Sequence, residues 1–289
     1  MRLRLFAAVC AALLILSLTP CRYAEVYVNQ TPPADWTERD LLRLTVFATG
    51  ESDCMLLEAG GECMMIDGGA NKWRDSLYSA LTTRNITHLK YIYSTHPHDD
   101  HIDGLYRIMQ KGITADEFIS IFPRQFRNEL HKRTAAEAER NGISYMQLQD
   151  GDVLLLGDAT LTIYHWGEGK TINDMSTITR LEYGECSMLL TADITGLAQR
   201  YFLKTLDPDF LMVDIAKFPH HGLTPFVTEF LDVVDPSFLF ATNYDNDDIG
   251  KARSQAKYRK IPMMASGSGI IIMESDGEDW YIVQKRNES

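Results

Sequence analysis

The apolar run Leu89-Lys90-Tyr91-Ile92-Tyr93 leads directly into Ser94-Thr95-His96-Pro97-His98-Asp99-Asp100-His101-Ile102-Asp103-Gly104, and no other stretch constrains this chain as strongly. Three of its eight histidines and three aspartates fall between positions 96 and 103. Neutral imidazoles and carboxylates together suit a borderline divalent cation such as zinc. In extended or loop backbone His96 and His98 point the same way, because side chains alternate with a period of two. Asp100 and His101, just past the turn, then serve a second ion a short distance away. An inert polar loop between a strand and a helix is the plain alternative, but four ligating groups at this spacing rarely arise by chance.

The 289 residues allow one large domain or two small ones, and 45% hydrophobic with 24% charged residues is a globular balance able to bury a substantial core. A formal net charge of -12 leaves no global field to attract polyanions. That argues against a tight, non-specific nucleic-acid binder and lends no support to nucleic acid as partner. Two basic stretches, Arg124, Arg127, His131, Lys132, Arg133 and Lys251, Arg253, Lys257, Arg259, Lys260, could serve a small or polymeric anionic substrate, but are expected to be solvated helix faces.

Arg2 and Arg4 precede the apolar run from Leu5 to Leu16, which ends at Ser17-Leu18-Thr19-Pro20. A short basic region, an apolar segment and a polar end read as a secretory signal over residues 1–24, cleaved between Pro20 and Glu25. The protein is then expected to be secreted or at the cell surface, touching the membrane only transiently through that segment. A retained anchor is the alternative. Of five cysteines, Cys10 would leave with the signal, and Cys54, Cys63 and Cys186 read as small buried hydrophobes. A Cys54–Cys63 bridge between adjacent strands stays open.

Residues 25–40 are polar, carry Pro32 and Pro33, and read as a lead-in; residues 41–289 read as one domain, with no repeat or linker dividing them. Strand signals cover 42–47, 54–58 and 62–67, with Gly60-Gly61 as a tight hairpin and Asp67-Gly68-Gly69 ending the third strand. Helical spacing follows at 73–85, then the strand 88–94, the histidine loop and a helix from about Ile102 to Lys111. Strand signals dominate 144–192, and helices and strands alternate afterwards, including a strand over 210–216. That order predicts an α/β fold, a four-layer αββα sandwich of two mixed sheets with helices outside. Asp193 and His220-His221 each follow an apolar strand, so their loops and the histidine cluster can share one edge.

In order, Asp67-Gly68-Gly69, the His96-x-His98-x-Asp100-His101 motif, Asp193 after a buried strand and a late histidine resemble the metallo-β-lactamase superfamily over nearly all of the chain after residue 40. The likeness is strongest to the soluble hydrolase-like domain of the competence protein ComEC and its free-standing relatives. It is carried by Gly50-x-x-Asp53, Asn173-Asp174-x-Ser176 and Lys217-x-x-His220-His221-Gly222. The resemblance implies that His96 and His98 bind a first ion, Asp100 and His101 a second, and that Asp193 bridges them. One of His220 and His221 would complete the second set, with His221 favoured, and the other would contact substrate or donate a proton. Asp100, His220 and Lys217 are thereby the candidate catalytic residues, and one or two zinc ions, with manganese as alternative, the implied cofactor. The family's chemistry is attack by a metal-bound hydroxide on an ester, amide or phosphodiester centre.

Departures from the pattern matter. Many members place a third histidine of the first ion before the strand pair leading to the bridging aspartate, where this chain has Asn173-Asp174. His165, eight residues earlier, is expected to be structural. The opening motif keeps only Gly50 and Asp53, and Leu223 stands where serine is common. The reading that results is a secreted metal-dependent hydrolase acting on a phosphodiester of nucleic acid or a cell-envelope polymer. A lactone, thioester or β-lactam hydrolase and a non-catalytic metal-binding module are the alternatives.

Overall fold

Strands in this chain alternate their apolar residues between two buried surfaces. Met55 and Leu57 face one core while Leu56 faces another; Met64 and Ile66 are split from Met65, Met188 and Leu190 from Leu189, and Phe238 and Phe240 from Leu239. Only a sheet covered on both faces gives such strands a use for an unbroken apolar run. The computed structural model describes residues 24–122 and 127–286; the expected signal segment lies outside them, apart from Ala24.

The strands are β1 (Glu25–Val28), β2 (Leu42–Val46), β3 (Cys54–Ala59), β4 (Glu62–Gly68), β5 (His88–Tyr93), β6 (Thr114–Ser120), β7 (Ser144–Gln147), β8 (Asp152–Leu156), β9 (Ala159–His165), β10 (Thr177–Tyr183), β11 (Cys186–Leu190), β12 (Ile215–Lys217), β13 (Phe238–Ala241), β14 (Met263–Ala265), β15 (Gly269–Ser275) and β16 (Asp279–Arg286). The helices are α1 (Arg74–Thr83), α2 (Asp99–Gln110), α3 (Glu129–Arg140), α4 (Gly196–Thr205), α5 (Pro208–Leu211), α6 (Thr228–Val234) and α7 (Gly250–Arg259). A nine-stranded sheet runs β1-β16-β15-β2-β3-β4-β5-β6-β7, and a seven-stranded sheet β14-β13-β12-β11-β10-β9-β8. Leu44, Met55, Ile66, Tyr93, Leu161, Met188, Phe238 and Met273 fill the space between the sheets. Leu77 of α1 and Leu105 and Ile108 of α2 cover the outside of the larger sheet, while Phe202 of α4 and Phe230 of α6 cover the smaller one. This is the four-layer αββα sandwich expected from the order of elements. Each such fully buried side chain contributes roughly 1.5–3 kcal/mol relative to exposure.

Three local features differ from the sequence reading. The segment 25–40 is part of the fold: β1 pairs in parallel with β16, and Trp36 is buried with its Nε1 donating to Glu274 Oε2 at 3.1 Å. Residues 208–211 form a helical turn rather than the start of a strand, because Asp207 caps Asp209 N and Pro208 occupies the first helical position. Helix α2 starts at Asp99, so Asp99, Asp100 and His101 form its first turn instead of a loop; carboxylates are favourable there against the helix dipole.

The three described cysteines are free thiols. Cys54 lies opposite Gly68 and Cys63 opposite Glu58, so the hairpin does not bring them together. Among the described residues no helix is long and apolar enough to cross a membrane.

Candidate metal centre

Strands β4, β5, β11, β12 and β13 end at one edge of the sandwich and deliver Asp67, His96, Asp193, His221 and Thr242 to a common buried site. Helix α2 reaches it by an unusually close approach. A Cβ on Gly104 would fall 1.8 Å from Gly68 O, and Gly104 N donates to Gly69 O at 3.2 Å. Glycine at both positions lets the helix N-terminus rest against the end of β4 and carries His101 into the centre. Asp67, Ala192, His220 and His221 all have positive φ (53°, 37°, 50° and 56°). Such conformations cost of order 1–3 kcal/mol each for non-glycine residues and persist where the surroundings over-determine them.

Asp193 is the shared element. Its Oδ1 lies 3.3 Å from His101 Nε2, and its Oδ2 lies 3.6 Å from His96 Nε2, 3.5 Å from His221 Nε2 and 3.8 Å from His220 Nε2. His98 Nδ1 stands 3.1 Å from His96 Nε2, and Asp100 Oδ2 3.1 Å from His221 Nε2. Ligating atoms of His96, His98 and Asp193 fall within 4.8 Å of one another, as do those of Asp53, His101, Asp193 and His221. His101 Nε2 and Asp193 Oδ1 are buried with no hydrogen-bond partner among the described residues. Orphaned, mutually facing nitrogen and oxygen atoms are costly unless something cationic sits between them, and this donor set fits one or two divalent ions.

Behind the ligating atoms stands a layer of carboxylates. Asp67 accepts from Thr95 N at 2.9 Å and from Thr95 Oγ1 at 2.6 Å, and its Oδ2 lies 2.7 Å from His101 Nδ1. Since the Thr95 hydroxyl gives its proton to Asp67, it accepts from His96 Nδ1 at 3.1 Å, which leaves His96 Nε2 free as a lone-pair donor. Asp53 Oδ1 lies 3.0 Å from His221 Nδ1 and also accepts from Thr242 Oγ1. Asp53 sits 3.9 Å from His101 Nδ1, so for both rings it occupies the Nδ1 side while Asp193 faces Nε2. Asp53 therefore orients ligands rather than competing with Asp193 for an ion. Sequence reasoning noted it only within Gly50-x-x-Asp53 and assigned it no role, because its partners lie 168 and 189 positions away.

The electrostatics follow from this arrangement. Burial by itself would raise the Asp193 carboxyl, but His221, His101 and His96 outweigh it and hold it well below the usual range. Burial would lower His101, yet Asp193 and Asp67 raise it well above its ordinary value; Asp193 and Asp53 do the same for His221. Asp100 resists burial through its hydrogen bond to His221 and sits at about 2. His96 and His98 are lowered, by burial first and then by the charge of His101.

Lys217, expected among the reacting groups, is a correction. It is fully buried, donates to Ala192 O at 3.0 Å and Phe218 O at 3.2 Å, and pairs with Asp53 Oδ2 at 2.9 Å. It holds the turn carrying Ala192 and neutralises Asp53, so it positions the site and does not face an approaching substrate. Of the two adjacent histidines, His221 is fully buried and points into the centre, whereas the His220 side chain keeps 34% of its exposure. Asn173-Asp174-x-Ser176 also positions. Ser176 Oγ donates to Asn173 O at 2.9 Å and accepts from Asp193 N at 3.1 Å, and Asp174 accepts from Thr195 Oγ1 and from Thr171 N. His165 pairs with Asp150 at 2.8 Å, a structural partner. The basic stretches carry surface ion pairs, Lys132 with Glu129, Arg253 with Asp245 and Arg259 with Asp232; Arg124 lies outside the described residues.

Comparison with known proteins agrees with the geometry. A family model described as Metallo-beta-lactamase superfamily matches residues 48–205, more than half of the chain. Among solved structures, the metallo-beta-lactamase fold protein YhfI from Bacillus subtilis is similar over 82% of this chain and 100% of its own, with a TM-score of 0.56 and 15% identity. CmlA, a diiron beta-hydroxylase from Streptomyces venezuelae, is similar over 81% of this chain and 53% of its own, with a TM-score of 0.50 and 15% identity. At these identities the likeness is one of fold. No curated protein matches in sequence.

Proposed function

The chain belongs to the Metallo-beta-lactamase superfamily and carries its metal-binding hydrolase fold, and from that premise we propose that it hydrolyses a phosphodiester. The observation that carries this reading is the single Asp193 carboxylate facing two groups of histidines at 3.3–3.6 Å. When bound, paired divalent ions supply a Lewis acid, a nucleophilic water at neutral pH and charge stabilisation on both sides of an in-line displacement. The chain's own residues do the rest. Asp193, held ionised, keeps the two histidine groups in register. Asp100, ionised and partly open, orients whatever lies before His221 Nε2. His220, half-exposed beside Asp193, is placed to pass a proton to the departing oxygen.

Within this proposal the ion is zinc, or manganese where the first group lacks a third histidine. The likeness of Gly50-x-x-Asp53 and Asn173-Asp174-x-Ser176 to the ComEC hydrolase-like domain supports that branch of the superfamily, and both motifs brace Asp193 and His221 rather than touch substrate. The basic and apolar N-terminus supports secretion, with nucleic acid or an envelope polymer as the substrate met there. Metal-loaded protein is expected to hydrolyse bis-p-nitrophenyl phosphate, and Asp100→Ala to lower its kcat by about 100-fold or more with unchanged circular dichroism. Equal turnover by the variant would overturn the assignment. Turnover of a lactone or β-lactam in its place would move the chain to another branch of the superfamily's chemistry.

A further inference from the structure

A cavity lies beside the metal centre, separated from it by the loop that carries Asp53. It measures about 230 Å³ and is walled by Phe47, Leu77, Ala80 and Ile270, with Thr49 and Trp73. Its boundary reaches the metal-site backbone: a Cβ on Gly69 would lie 3.6 Å from Thr49 Cβ, and Gly69 N donates to Asp53 O at 2.7 Å. Trp73 Nε1 is buried and finds no acceptor among the described residues. Buried N–H groups without partners are rare in folded proteins, and here the group belongs to a residue lining a mainly apolar cavity that also carries Thr49 and Ser76.

Next to that wall stands a cation. Lys72 Nζ lies 5.8 Å from the Trp73 ring and 5.4 Å from the Tyr244 ring, and donates to Tyr244 Oη at 3.1 Å. Among the described residues no carboxylate reaches it within 4.0 Å. Tyr244 is 41% exposed, yet it is wedged: a Cβ on Gly50 would strike its ring at 2.5 Å, and one on Gly267 its Cα at 2.4 Å. An exposed aromatic held close by two glycines and a cation without a carboxylate partner thus stand side by side next to the cavity, on a chain of net charge -12.

We propose that this cavity binds an amphipathic organic acid, with a short aliphatic or aryl group in the slot, an acceptor oxygen on Trp73 Nε1 and the anionic group on Lys72. The chemistry of these groups selects that class. The lining takes the hydrocarbon, the indole takes one oxygen, and the ammonium beside Trp73, outside the lining itself, takes the charge. The volume suits a single short chain, not a two-chain lipid. The site does not depend on which bond the metal centre cleaves.

Octanoate titrated into metal-loaded protein by calorimetry is the test. The expected result is saturable binding at one site per chain, weakened about tenfold by Lys72→Met. Ala80→Leu, which fills the slot, should abolish it, and Trp73→Phe, which keeps a ring and removes the N–H, should weaken it. Asp100→Ala should leave octanoate affinity unchanged, so failure of the hydrolytic reading and failure of this site are told apart. Absence of saturable binding would overturn the proposal. So would binding that is lost with EDTA and indifferent to Lys72→Met, because the carboxylate would then be on the metal ions.

Discussion

His101 and His221 each turn Nε2 toward Asp193 while a buried carboxylate stands at Nδ1, Asp67 at 2.7 Å and Asp53 at 3.0 Å. Across Asp193 the other pair is held differently. His96 reaches Asp67 only through the Thr95 hydroxyl, and half-buried His98 rests its Nδ1 against His96 instead of a carboxylate. A carboxylate behind a ligating imidazole fixes its tautomer and raises its basicity. The two halves of one centre therefore differ less in the number of histidines than in what stands behind them. The better-backed half is pre-organised for tight binding, and the other is the one expected to exchange its ion.

The largest expected effect comes from removing what the halves share. Asp193→Ala should leave protein with essentially no bound metal by elemental analysis, from both halves together; retention of one ion would show that a half closes without it. The next tests separate the halves. Asp53→Asn should weaken the His101–His221 half about 10–100-fold. It should also destabilise the fold by roughly 3–5 kcal/mol by leaving Lys217 buried without its partner. Thr95→Val should weaken the His96–His98 half more than the other, which loses only one hydrogen bond to Asp67, and should cost about 1–3 kcal/mol in chemical denaturation because buried His96 Nδ1 and Asp67 each lose a partner. If both substitutions affected the same ion equally, the division into halves would fail.

The smallest effect is read from pH in metal-stripped protein. His101 and His221, raised above their ordinary value of 6.5, lend stability that is present below 6.5 and lost as pH rises through their folded values. His96 and His98, lowered from 6.5, lend stability that is present above 6.5 and lost as pH falls through theirs. The melting temperature of the stripped protein should therefore drop on both sides of neutrality, by several degrees at the alkaline end, and the slope should vanish when metal is restored. A flat alkaline limb would contradict the charge balance assigned to the His101–His221 half.

Much of this was legible from residues in line. The His96–His101 cluster, Asp193 and His221 all follow apolar strands, and strand ends at one edge converge by topology alone. What escaped was of two kinds. Asp53, Thr242 and the inward turn of Lys217 depend on contacts between segments 164 to 189 positions apart, for which local spacing carries no signal. The strand β1 and the helical turn α5 were hidden by their neighbours. Pro32 and Pro33 masked a four-residue edge strand, and the apolar 210–216 run masked the Asp207-Pro208 cap.

Asp53 also has a mechanical meaning. It arrives on a loop of the nine-stranded sheet, yet its oxygens are held by Lys217, His221 and Thr242 of the seven-stranded one. One carboxylate is thus a clasp that keeps the two leaves of the sandwich shut at their working edge before any ion arrives. Residues facing the substrate are free to drift toward new chemistry, but a change at the clasp would let the leaves part and take the histidines with them.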